Sequence, residues 1–153
     1  MIDVQKVNDT KEKIVSTIRA SGPSFPTRIS RETNISPLFI GALLSELVAE
    51  KRLIMSSMKV GSSPLYYLSG QEETLENFLN YLNPKEREAV LKLKSSKILD
   101  DSEEDPALRV ALRKIKDFAS PMNVRVEDEE KLFWKFFTIS EKEAQNLIEN
   151  MFK

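Results

Sequence analysis

The chemistry open to this chain is bounded first by what it lacks. Among its 153 residues there is no His and no Cys. That excludes Ser-His-Asp and Cys-His catalysis, imidazole or thiolate metal sites, and disulfides. The acidic groupings are Asp100 to Asp105 and Glu127 to Glu130, both in segments that read as turns. Neither has the spaced ligands of a calcium loop. No glycine-rich phosphate loop or acid–base pair accompanies them. No enzymatic activity, metal or cofactor is expected, and a binding or regulatory role is.

The cations are arranged differently from the acids. Residues 1–70 hold 9 basic and 6 acidic side chains, and residues 71–153 hold 14 and 18, for a net charge of -1. A mildly basic front half can sit on phosphate, and an acidic back half is repelled by it. In the front half Arg28 and Arg31 are one helical turn apart. Lys51 and Arg52 are adjacent, and Lys59 precedes Gly61, Ser62 and Ser63.

The elements that must position these residues follow from periodicity and punctuation. Asp9, with Glu12 three residues on, has capping-box spacing and predicts a first helix from Asp9 or Thr10. Ile14, Val15 and Ile18 fall on one face, and Ser21-Gly22-Pro23 ends it. Thr27 to Thr33 reads as a short helix with Ile29 inward and Arg28 and Arg31 outward. Asn34 suits a left-handed C-terminal position. Ser36-Pro37 is a cap and first-turn proline. The helix it starts is expected to reach Arg52, with Ile40, Leu43, Leu44, Leu47 and Val48 as its buried stripe. Two apolar runs, 53–58 and 64–68, flank a Gly-Ser turn and read as a hairpin.

A further helix is expected over Glu72 to Leu82, with Leu75, Phe78, Leu79 and Leu82 as one stripe. Asn83-Pro84 with Glu86 restarts a helix to about Ser95, and Asp105-Pro106 another to about Ala119. Strands are expected over Met122 to Val126 and Leu132 to Ile139, around a Glu127–Glu130 turn. Ser140 caps the last helix. The two halves overlay weakly. Pro37 and Pro106 are 69 apart, and Tyr66-Tyr67 and Phe136-Phe137 are 70 apart. That spacing points to two similar units in tandem, the second a few residues shorter before its third helix.

Residues 27–54, running from Thr27-Arg28-Ile29 through Asn34-Ile35-Ser36-Pro37 and the paired leucines to Glu50-Lys51-Arg52-Leu53-Ile54, resemble a winged helix-turn-helix domain of the MarR-like and archaeal regulator type. Tyr66-Tyr67-Leu68 closes the wing as an aromatic pair does in many such domains. If the repeat holds, the chain resembles tandem winged-helix proteins, some of which bind DNA and others protein. The resemblance implies that the helix from Ser36 faces the major groove. Its outward residues are Pro37, Leu38, Gly41, Ala42 and Ser45, with Phe39 undecided. None is an Arg, Asn, Gln or Lys base reader. Ser36 and Ser45 would approach the groove. Arg28, Arg31, Lys51, Arg52 and Lys59 would contact phosphate, with Ser62 and Ser63 as donors. Four or five such contacts imply a log–log salt slope of about -4 to -5. Each cation also has a plain alternative as an ion pair or a helix-end charge.

The back half cannot copy this, because its turn is acidic. Arg109, Arg113, Lys114 and Lys116 lie beside Asp100 to Asp105 and are expected to be offset by them. Phe133, Trp134 and Phe136, with Phe137, occupy both faces of one strand. Either the final helix covers the second face, or these rings meet a partner or a second copy through residues 84–153. The expected fold is α+β and mainly helical: a winged helix over 1–70, a connecting helix over 71–83, and a second winged-helix-like interaction domain over 84–153. The expected function is double-stranded DNA binding, as a transcriptional regulator or chromatin-associated factor using mainly phosphate contacts. The alternative is a non-enzymatic tandem winged-helix adaptor for protein assembly. No apolar run approaches the roughly 18–20 residues of a membrane span, and residues 1–13 show no signal core. A cytoplasmic location is expected, on the nucleoid if DNA is bound.

Overall fold

A computed structural model describes residues 3–153. The protein is α+β and mainly helical, with two small antiparallel sheets. It divides into two compact units, Met1–Tyr81 and Leu82–Lys153.

In the first unit α1 spans Val4–Ser21 and so begins before the Asp9 or Thr10 expected from sequence. Asp3 is the cap, accepting from the backbone N–H of Gln5 and Lys6. The open amide groups of the first turn are thus satisfied upstream. Asp9 sits within the helix and accepts from Gln5 Nε2 at 3.0 Å. Gly22, at φ +84, ends α1 with its N–H on Ile18 O; a side chain there would be strained.

Two further helices follow, α2 (Pro26–Thr33) and α3 (Pro37–Ala49). Asn34 lies between them in the left-handed region, as its type predicts. α3 stops three residues short of Arg52. Lys51 takes φ +62, and the N–H groups of Lys51 and Arg52 turn back onto Val48 O and Leu47 O. This closes the helix end in the way a C-terminal glycine would. The core is built from Ile14, Val15 and Ile18 of α1, Ile29 of α2, and Ile40, Leu44 and Leu47 of α3.

A hairpin of β1 (Ile54–Val60) and β2 (Ser63–Tyr67) pairs Ile54 with Tyr67 and Val60 with Ser63. Gly61, at φ +65, leads the two-residue turn, the place a type II′ turn reserves for glycine. Ser24 bridges to Tyr66 on the far side of β2. The segment Glu72–Tyr81 is a 3-10 helix rather than the expected α-helix. At three residues per turn, Leu75, Phe78 and Tyr81 share a face. The Phe78 and Tyr81 rings stack at 6.1 Å, and Tyr81 also meets Phe25 edge-on at 5.0 Å. This segment therefore packs within the first unit, rather than standing as a separate connecting helix.

The second unit opens with α4 (Pro84–Ser96), capped by Asn83. Then come β3 (Ile98–Asp100), one 3-10 turn (Asp101–Glu103) and α5 (Pro106–Lys114). α5 ends before the expected Ala119 because Ala119 is already paired with Phe136 in the sheet. Strands β4 (Ala119–Val126) and β5 (Glu129–Phe136) form the hairpin, and the strand order is β3-β5-β4. α6 (Glu141–Met151), capped by Ser140, lays Ala144 and Ile148 against Ile98 and Phe133.

The two units share one connectivity. In each, a long helix leads to an extended segment, which pairs with the second strand of a later hairpin. That segment is the Ser24 bridge in the first unit and β3 in the second. The second unit has a single 3-10 turn where the first has α2, which accounts for its shorter spacing.

Candidate nucleic-acid interface

The outward face of α3 is uncharged over its first turns. Leu38 and Phe39 are 85% and 66% exposed, and Gly41, Ala42 and Ser45 are exposed beside them. Phe39, undecided from sequence, faces out. Ser36 caps the helix by accepting from Phe39 N–H at 3.5 Å, and nothing on this face presents the paired donors and acceptors that read base edges.

The five expected phosphate contacts divide into two sets. Arg28 donates from Nε to Glu32 at 3.0 Å, and Ser21 Oγ donates to the same carboxylate. Together they hold Glu32 below its usual carboxylate range. Arg52 reaches back to Glu12 on α1. These two cations carry the plain alternative reading, as surface ion pairs. Arg31, Lys51 and Lys59 are exposed and make no ion pair among the described residues. Lys59 lies in β1 opposite Pro64, close in register to Ser63, with Ser62 exposed at the turn. Lys51 lies at the exit of α3. The set able to bind phosphate without giving up a carboxylate thus falls from five to three.

One contributor went unread in the sequence. Lys11 is buried and bonds both Glu50, at 2.8 Å, and Glu46, at 3.0 Å. These hydrogen bonds raise its pKa. Lys11 therefore ties α1 to Glu46 of α3 and to Glu50 at its C-terminal cap, and its one charge offsets one of the two carboxylates. Its spacing of i, i+3, i+4 and i+7 from Ile14, Val15 and Ile18 was the available signal.

In the second unit the rings expected to meet a partner are internal. Phe133 is fully buried against α6, while Trp134 and Phe136 are 6% and 2% exposed. Alternate strand residues face opposite ways. Phe133 looks to α6, and Trp134 donates its indole N–H to Asp101 at 2.9 Å. Phe133, Trp134 and Phe136 are therefore closed to a partner: α6 covers Phe133, and Trp134 and Phe136 are buried on the opposite face of the strand.

Asp101 is 3% exposed, and it is a hub rather than a solvated turn residue. Arg109 donates Nε to its Oδ2 at 3.0 Å. Arg113 spans both oxygens, NH1 to Oδ1 at 2.8 Å and NH2 to Oδ2 at 3.0 Å. The Arg113 guanidinium also lies over the Trp134 ring at 5.6 Å. With Arg113 first among its hydrogen-bond partners, the Asp101 carboxyl is lowered from its ordinary 3.8 to about 2. Asp100, also buried, accepts from Ser102 and Lys131. The acidic turn is Glu127-Asp128, both at positive φ, with Glu129 and Glu130 exposed at the start of β5.

No family model, curated protein or solved structure matches the chain. Among the described residues no helix is long and apolar enough to cross a membrane.

Proposed function

We propose that residues 1–70 form a winged helix-turn-helix that docks on duplex DNA mainly through phosphate. In this reading the chain serves as a non-enzymatic regulator or chromatin-associated factor, with residues 84–153 as a second winged-helix-like unit. The observation that carries it is the charge of the β1–β2 region. From Lys51 to Gln71 there is no acidic residue, and Lys51 and Lys59 stand exposed there without an ion pair among the described residues. Arg31 on α2 adds a third such cation. The Ser24 bridge to β2, at the place where β3 pairs with β5 in the second unit, supports the tandem reading. Because α3 offers no base reader, binding is tolerant of sequence, and DNA shape rather than base identity sets any preference.

Anisotropy of a labelled duplex tests it. Three phosphate contacts give a slope of about -2.7, so affinity falls about 40-fold between about 50 and 200 mM salt. Arg31→Ala/Lys59→Ala should make the slope shallower by about 1.8. No binding at the lower salt overturns the reading.

The adaptor reading rests on a different observation. Leu38 and Phe39 are the two most exposed large apolar side chains of α3. Phe39 also joins Val7, Ile35 and Leu43 around an apolar groove beside α1. A partner docked there would bind with little dependence on salt.

A further inference from the structure

The outward face of α5 carries cations that the acids around them do not consume. From Pro106 to Lys116 there are four basic residues and no acidic one. Of the acids just before the helix, Glu104 is matched by Lys92 at 2.6 Å and Asp105 by Lys85 at 3.6 Å and by capping Leu108 N–H, while Glu103 is exposed. Asp101 draws on Arg109 and Arg113, so one carboxylate faces two guanidiniums. Arg109 and Arg113 remain 44% and 45% exposed at their side chains, while the Asp101 side chain is 4% exposed. Each guanidinium is held on its inner edge and keeps N–H donors on its outer edge. The two are one turn apart, about 6 Å along the axis, with Val110 and Lys114 exposed beside them.

We propose that this face is a second phosphate-binding surface, in which Arg109 and Arg113, braced by Asp101, contact the sugar–phosphate backbone of a duplex nucleic acid. A fixed guanidinium loses little freedom on binding and matches phosphate oxygens two at a time. The surroundings favour nucleic acid over protein. Val110 is the sole large apolar side chain exposed on α5. Protein interfaces need an apolar centre, whereas nucleic-acid interfaces are polar and cationic. The acidic turn does not forbid this. Glu129 is five strand residues from Trp134, about 17 Å, and charges beyond about 8–10 Å are largely screened.

The test leaves the Asp101 hub intact. Val110→Glu places a negative charge beside the arginines, next to Arg113 and Lys114, at an exposed helical site, with Val110→Gln as the neutral control. Duplex anisotropy of the full chain at about 50 mM salt should show Val110→Glu weakened about tenfold and Val110→Gln within twofold. The same loss should appear in the Arg31→Ala/Lys59→Ala background, so failure of the first-unit reading and failure of this one are separable. Circular dichroism confirms folding. Equal affinities of the Glu and Gln variants overturn the proposal. So does binding of a Glu-rich peptide, lost in Val110→Glu, when the duplex is ignored. Displacement of the duplex by inorganic phosphate at matched ionic strength also overturns it, in favour of a small-anion site.

Discussion

The hairpin turns of the two units sit at equivalent places in one connectivity and carry opposite chemistry. The first is Gly61-Ser62, preceded by Lys59 and free of acids; the second is Glu127-Asp128, followed by Glu129 and Glu130. The helices before them reverse the pattern. α3 shows Leu38, Gly41, Ala42 and Ser45 outward, and Glu46 and the cap residue Glu50 share Lys11. α5 shows Arg109, Arg113 and Lys114. Connectivity is thus fixed by the buried residues, and charge is distributed over it independently. Each unit keeps one cationic element and gives up the other, so a similar order of elements does not make the two surfaces interchangeable.

The largest break in this comparison comes from Asp101, which has no counterpart in the first unit. Asp101→Asn leaves two guanidiniums without a neutralising charge and should destabilise the second unit by about 3 kcal/mol. Trp134, the single tryptophan, lies beside this hub, so its fluorescence during urea unfolding reports that unit directly. A loss below about 1 kcal/mol would show that solvent, not Asp101, holds the arginines.

Acid should act on the same hub. The folded pKa of Asp101, about 2, lies below its ordinary 3.8. Its stabilisation is therefore complete above the ordinary value and is lost as pH falls toward 2. The expected loss is about 2 kcal/mol, read as a falling urea midpoint of the Trp134 signal. Asp101→Asn should abolish that component of the pH dependence.

Leu38→Glu sharpens the contrast between α3 and α5. Leu38 is 85% exposed, so stability should change by less than about 0.5 kcal/mol. If α3 faces a phosphate-lined groove, duplex affinity should fall about tenfold, or about 1.4 kcal/mol. Unchanged duplex affinity would turn α3 toward the adaptor reading. The smallest expected effect is at the second turn. Glu127 and Asp128 both hold positive φ, where Asn-Gly is favoured. Glu127→Asn/Asp128→Gly should raise stability by about 0.5–1 kcal/mol, measured by thermal melting.

Much of the fold was legible because its signals are local. Asn34, Ser36-Pro37, Asn83-Pro84 and Asp105-Pro106 punctuate helices by their own chemistry, and the α3 stripe announces its buried side. Boundaries failed where a distant partner decided them. α5 ends early because Ala119 pairs with Phe136, and α1 starts early because Asp3 caps ahead of Asp9. The residues 72–82 stripe fits two helical periods, and ring packing selects the tighter one. In the candidate site, the cationic positions were visible but their partners were not. Nothing in the spacing of Arg52 and Glu12, or of Asp101 and Trp134, reveals that they meet. For the aromatic run 133–137 burial and a partner stayed open alternatives for the same reason, since burial depends on tertiary packing.

The salt dependence of duplex binding by the full chain tests the central claim most directly. Phosphate contact gives a log–log slope of about -2.7 or steeper between about 50 and 200 mM salt, made shallower by Arg31→Ala/Lys59→Ala and again by Val110→Glu. A flat slope, or no binding at the lower salt, would contradict it.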